Sequence, residues 1–70
     1  MPRKIRQLRA DLRRAGFVLN PKRGKGSHTW WTHPKLPGYS VNVSGNDGDD
    51  ARQYQEREVQ EALEKARGVN

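Results

Sequence analysis

Apolar residues fall at helical spacing at both ends of the chain and at strand spacing between them. Ile5, Leu8, Leu12 and Ala15 recur every three or four residues among Arg3, Arg6, Arg9, Arg13 and Arg14. That pattern predicts an amphipathic helix over roughly residues 3–15. Gly16 follows the last apolar position and marks its end. Phe17-Val18-Leu19 reads as a short strand, halted by Asn20-Pro21. Thr29 to His33 is aromatic and β-branched, which predicts a second strand. Pro34 to Gly38 is a turn with two prolines. Tyr39 to Val43 alternates, with Val41 and Val43 on one face, and predicts a third strand. Val59, Ala62, Leu63 and Ala66 mark a closing helix over roughly residues 55–67.

The order helix, three strands, helix predicts an α+β domain. Tight turns make the strands an antiparallel meander, one face of which both helices can cover. The expected core is Ile5, Leu8, Leu12, Phe17, Leu19, Trp31, Val41, Val43, Val59, Leu63 and Ala66. If Trp31 faces that core, strand alternation turns His28 and Trp30 to the open side.

Size limits what such a chain can do. Seventy residues allow one domain over 1–70. A chain this short buries about 60% of its unfolded surface and is marginally stable. It has no cysteine, hence no disulfide and no thiolate metal site. Met1-Pro2-Arg3-Lys4 leads into no apolar run, so no secretory signal is expected, and nothing approaches a membrane span. A cytoplasmic location follows as the default expectation.

Charge changes the picture more. The net charge is +6, unevenly spread: residues 1–35 hold ten Lys or Arg against one Asp, and residues 36–70 hold four against seven Asp or Glu. A basic half suggests a polyanion, most often a phosphate backbone bound through counterion release. The five arginines of the first helix could lie along a duplex or single strand, or form a solvated face; Arg9 and Arg13 read as the latter because Asp11 sits among them. The acidic second helix is a poor nucleic-acid surface.

The glycine-rich basic loop holds the candidate chemistry. Lys22, Arg23 and Lys25 are placed to hold a phosphate, and Gly24 and Gly26 let the backbone approach it. Ser27 and His28 follow at the strand entrance. RNA cleavage needs a base to take a proton, an acid for the leaving oxygen and cations to steady the phosphorane-like transition state. A positioned histidine can be either acid or base and gives on the order of 10²–10⁴ in rate. No metal is required, and the need for a 2′-hydroxyl implies RNA. On the residues alone, the more ordinary reading of His28 is a surface imidazole that only binds phosphate. Tyr39 or Lys25 are possible second acid–base groups. His33 reads as a packing residue on the Trp31 side. Trp30 reads equally as a base-stacking platform and as a cover for the core edge. Asn46 to Asp50 lacks the spacing of a calcium loop and reads as a turn, so no metal site is assigned. Ser27 and His28 point apart, which disfavours a nucleophile pair.

Gly26-Ser27-His28, the aromatic pair, His33-Pro34, the Pro37-Gly38 turn and Val41-x-Val43 together resemble the HicA family over about residues 5–68. The resemblance implies a fold like the double-stranded RNA-binding domain. It implies the toxin of a type II toxin–antitoxin pair that cleaves mRNA without metal or other cofactor. The family's essential histidine falls on His28, its glycine and serine on Gly26 and Ser27. The implied partners are mRNA and a HicB-type antitoxin that covers the histidine. The stretch from Ser44 to Asp50 departs from the family pattern, in which many members carry a proline and a second histidine there. An acidic loop near the site would repel phosphate. Two other readings stand beside the toxin: a noncatalytic RNA-binding module, and a domain whose basic face meets an acidic protein.

Overall fold

Residues 2–69 are described by a computed structural model. Helix α1 (Ile5–Arg14) is followed by strands β1 (Val18–Leu19), β2 (His28–Thr32) and β3 (Ser40–Ser44), then helix α2 (Gln53–Val69). The strands form one antiparallel sheet in the order β1-β2-β3. Both helices pack on one face of it, against each other and against β3. The α+β class, the element order and the two-helix face therefore agree with the sequence pattern.

Two consecutive turns connect β2 to β3. Leu36 N–H donates to the His33 carbonyl, and Tyr39 N–H donates to the Leu36 carbonyl. Each turn has proline at its second position, where a fixed φ near −65° suits it. The strands consequently lie one residue away from their expected bounds: His33 and Tyr39 belong to the turns, while His28 and Ser44 join the ladder. The register sets Trp31 opposite Val41, Trp30 opposite Asn42 and His28 opposite Ser44.

Ile5, Leu8, Leu12, Phe17, Trp31, Val41, Val43, Ala51, Val59, Ala62 and Ala66 form the buried cluster, with Leu63 packed against it. Full burial of one such large side chain stabilises by about 1.5–3 kcal/mol. The Trp31 indole N–H donates to Thr29 Oγ1 at 3.0 Å, so its polar end is satisfied. Leu19 departs from the expected core. It is 38% exposed, because β1 is a two-residue edge strand whose principal neighbour is β2 rather than either helix. His33 is buried against Phe17 in an edge-to-face contact. Its Nδ1 accepts from Lys35 N–H and its Nε2–H donates to the Ala15 carbonyl, tying the end of α1 to the end of β2.

Both helices start with the same device. Gln7 accepts the Lys4 N–H and Gln55 accepts the Arg52 N–H through their side-chain oxygens, three residues into the chain from each cap. The loop 45–50 supplies more for α1: the carbonyls of Asp49 and Asp47 accept the first two helical N–H groups, Ile5 and Arg6.

Asp11, on α1, pairs with Arg3 and Arg14. Partial burial pushes its carboxyl up, but the two guanidinium groups together outweigh burial and hold it below the ordinary value. A carboxylate depressed in the folded state stabilises above its unfolded pKa of about 3.9 and loses that contribution as pH falls through the folded value. Urea titrations between about pH 5 and pH 2 are expected to show this acid loss in the wild type, and Asp11→Asn is expected to flatten it by about 0.5–1 kcal/mol. Equal acid slopes in the two proteins would contradict the assignment.

Candidate functional site

The open face of the sheet carries His28 and Trp30 from β2 beside Asn42 and Ser44 from β3, while Thr29, Trp31, Val41 and Val43 face the helices. His28 is exposed at the first position of β2. The preceding loop is shaped by local hydrogen bonds. Lys22 N–H donates to Asn20 Oδ1, Asn20 N–H to the Trp30 carbonyl, and His28 N–H to the Lys25 carbonyl.

The two loop glycines have different work. Gly26, at φ +60°, sits at the first central position of the Lys25–His28 turn, and a Cβ there would meet open space. Its backbone is thus open to approach from outside. Gly24, at φ +89°, is pressed against His28: a Cβ would fall 2.3 Å from the His28 carbonyl oxygen. No other residue fits that contact. Gly24 folds the basic loop back on the histidine.

Lys22, Arg23 and Lys25 are exposed, and none has an ion-pair partner among the described residues. Arg23 lies with its guanidinium carbon 4.0 Å from the centroid of Trp30. One face of the half-buried indole is therefore already occupied by a cation. Ser27 contributes its backbone: its carbonyl accepts from Gly45 N–H at 3.3 Å and from Arg9 at 2.9 Å.

Arg9 corrects an expectation. Its side chain is only 13% exposed and is no part of a solvated face. The guanidinium donates to the carbonyls of Ser27, Gly45 and, at 3.4 Å, Val43, and pairs with Asp47 at 2.6 Å. It clamps the two strand ends that bear His28 and Ser44. Arg13, by contrast, is exposed as expected, with its guanidinium carbon 5.0 Å from the Trp31 ring centroid. The carboxylates of the acidic loop have partners of their own. Asp47 is taken by Arg9, Asp50 by Lys4, and the Asp49 carboxylate accepts the Asn46 N–H.

Ser44 is the residue that sequence reasoning missed. Its hydroxyl is 2.8 Å from His28 Nδ1 and donates to Asn42 Oδ1 at 3.1 Å. Buried Gln55 holds the same residue from beneath, donating from Nε2 to the Ser44 carbonyl at 2.8 Å. Once the length of the 33–39 connection fixes the register, strand pairing alone puts residue 44 opposite 28. Tyr39 is brought to the other end of the β2–β3 pair, where its ring packs on Phe17 and lies 5.3 Å from the Lys65 ammonium. Burial, together with Glu61 and Glu58, pushes its phenol up.

No helix among the described residues is long and apolar enough to cross a membrane. Neither curated proteins nor solved structures gave a match to the chain. A family model does match, that of the HicA toxin of bacterial toxin–antitoxin systems, over residues 5–67. With nearly its whole length covered, the chain belongs to the HicA toxin family.

Proposed function

We propose that the protein is a metal-independent endoribonuclease, the toxin of its pair, and that His28 moves the protons. The observation that carries this reading is the surroundings of the imidazole. Nδ1 is held by Ser44, while Nε2 has no hydrogen-bond partner among the described residues. Beside it stands a loop whose cations have no ion-pair partner among the described residues. Lys22, Arg23 and Lys25 hold the scissile phosphate and its neighbours. Gly24 and Gly26 bring the backbone close, and Ser27 sets the histidine at the strand entrance.

The reaction balances with few parts. His28 takes the 2′-hydroxyl proton, O2′ bonds to phosphorus, the P–O5′ bond breaks, and a proton returns to the departing O5′. The products are a 2′,3′-cyclic phosphate and a 5′-hydroxyl. The cations stabilise charge that grows on the phosphoryl oxygens as the bond order changes. Trp30 and Arg23 act as one stacked unit, so a base would lie on the guanidinium plane or displace it to reach the indole.

A HicB-like antitoxin would complete the pair in the cytoplasm. It would need acidic groups for the basic loop and enough bulk to cover His28.

The test is incubation of purified protein with RNA, with and without EDTA. A matched substrate carries a single 2′-deoxynucleotide at the cleaved position. Cleavage is expected to survive EDTA, leave cyclic-phosphate ends and stop at the 2′-deoxy site. Intact RNA bound with a steep salt dependence would instead identify a noncatalytic RNA-binding module. Intact RNA bound weakly and with little salt dependence would identify a protein-interaction domain.

A further inference from the structure

We infer that Ser44 is a positioning residue that fixes which nitrogen of His28 carries the proton. Three polar atoms stand in a row on the open face: His28 Nδ1, Ser44 Oγ and Asn42 Oδ1, at 2.8 and 3.1 Å. The amide oxygen can only accept. The serine hydroxyl has one hydrogen, and giving it to Asn42 leaves Oγ as an acceptor toward the ring. Nδ1 must then carry hydrogen and donate. This assignment satisfies all three atoms in sequence, Nδ1–H to Oγ–H to Oδ1. The reverse would point the hydroxyl at Nδ1 and leave two oxygens facing each other with lone pairs only.

The consequence is directional. With Nδ1 protonated, the neutral ring keeps its lone pair on Nε2, the nitrogen without a protein partner among the described residues. The base then faces solvent, where a ribose hydroxyl would arrive. When Nε2 takes a proton, the Nδ1 hydrogen bond persists, so the ring need not turn during the reaction. Ser44 is itself held at the strand end, by Gln55 on its carbonyl and by Arg9 on the next one.

The link to catalysis rests on the ribonuclease reading; the tautomer does not. The experiment therefore has two readouts. Long-range proton–nitrogen correlation spectra of the ¹⁵N-labelled chain, taken at alkaline pH, report which nitrogen of each neutral imidazole is protonated. His28 is expected to be protonated at Nδ1 in the wild type, to shift toward Nε2 in Ser44→Ala, and to return in Ser44→Thr. His33 is an internal control: Ala15 and Lys35 hold it in the Nε2–H form in all three proteins. In RNA cleavage, Ser44→Ala is expected to lower kcat about two- to tenfold, the range of one net hydrogen bond, with KM little changed and activity restored by Ser44→Thr. A wild-type His28 protonated at Nε2, or a spectrum indifferent to Ser44→Ala, would overturn the inference. A shifted tautomer with unchanged kcat would uphold the tautomer assignment and overturn its link to catalysis. If the wild type leaves RNA intact, the ribonuclease reading fails, and the spectra still decide the tautomer.

Discussion

Arg9→Ala is expected to cost about 2–4 kcal/mol of folding stability, the largest loss for any charged residue in the chain. Hydrogen bonds from a charged donor contribute about 1.5–3 kcal/mol each, although several made by one group do not add in full. Arg9 makes its bonds to three carbonyls and a carboxylate while only 13% exposed. Alanine would remove the donor to the Gly45 carbonyl and one donor each from the Ser27 and Val43 carbonyls, which keep Gly45 N–H and the Thr29 hydroxyl. A domain of this length has a total stability of roughly 3.5–10 kcal/mol. The midpoint of thermal unfolding should therefore fall by roughly 10–30 °C. Arg9→Lys should recover less than half, because an ammonium on a single axis cannot span the fork of acceptors. Arg13→Ala is the comparison: it removes one cation over the Trp31 ring, and about 0.5–1 kcal/mol. A loss under about 1 kcal/mol for Arg9→Ala, measured in urea, would show that the clamp has little energetic weight.

The second large effect is on rate alone. On the ribonuclease reading, His28→Ala lowers the cleavage rate by about 10²–10⁴, the usual worth of a positioned acid–base group. Its stability should stay within about 0.5 kcal/mol of the wild type, because the ring is exposed and its loss opens no cavity. RNA affinity should also persist, since Lys22, Arg23 and Lys25 are untouched. Single-turnover cleavage and filter binding, run on the same preparations, separate the two quantities. An equal fall in binding and cleavage would assign His28 to phosphate contact instead.

Periodicity was enough for the architecture, because each element states its own period and its own stop. The i, i+3, i+7 stripe of Ile5, Leu8 and Leu12 and the alternation of Val41 and Val43 lead to the observed helix and strand. Boundaries moved where a turn or a cap, rather than hydrophobicity, decides them. His33 and Tyr39 left the strands because the proline turns need them, and α2 begins at Gln53 because Gln55 caps it. Leu19 was misplaced because apolar character does not say whether a strand lies at the centre or the edge of a sheet. The basic loop and His28 were visible as local composition. Ser44 was not, since its nearness to His28 depends on register across sixteen residues. Arg9 was misread for a different reason. It lies four residues after Ile5 and three before Leu12, on the flank of the buried stripe, where spacing argues against full exposure.

The loop 45–50 has a further consequence for how the chain comes into being. The first helix borrows its starting acceptors from Asp47 and Asp49, and Ala51 N–H closes onto the Arg3 carbonyl. The imidazole, its serine, the amide beneath and the guanidinium behind come from positions 28, 44, 55 and 9. No leading fragment owns a finished copy of any of these parts. A nascent polypeptide with only its first forty residues made has a first helix lacking the Asp47 and Asp49 acceptors, a second strand paired with β1 alone and a histidine without Ser44 beside it. The site is complete only once the chain has been made through Gln55, so whatever it does to a message cannot begin before then.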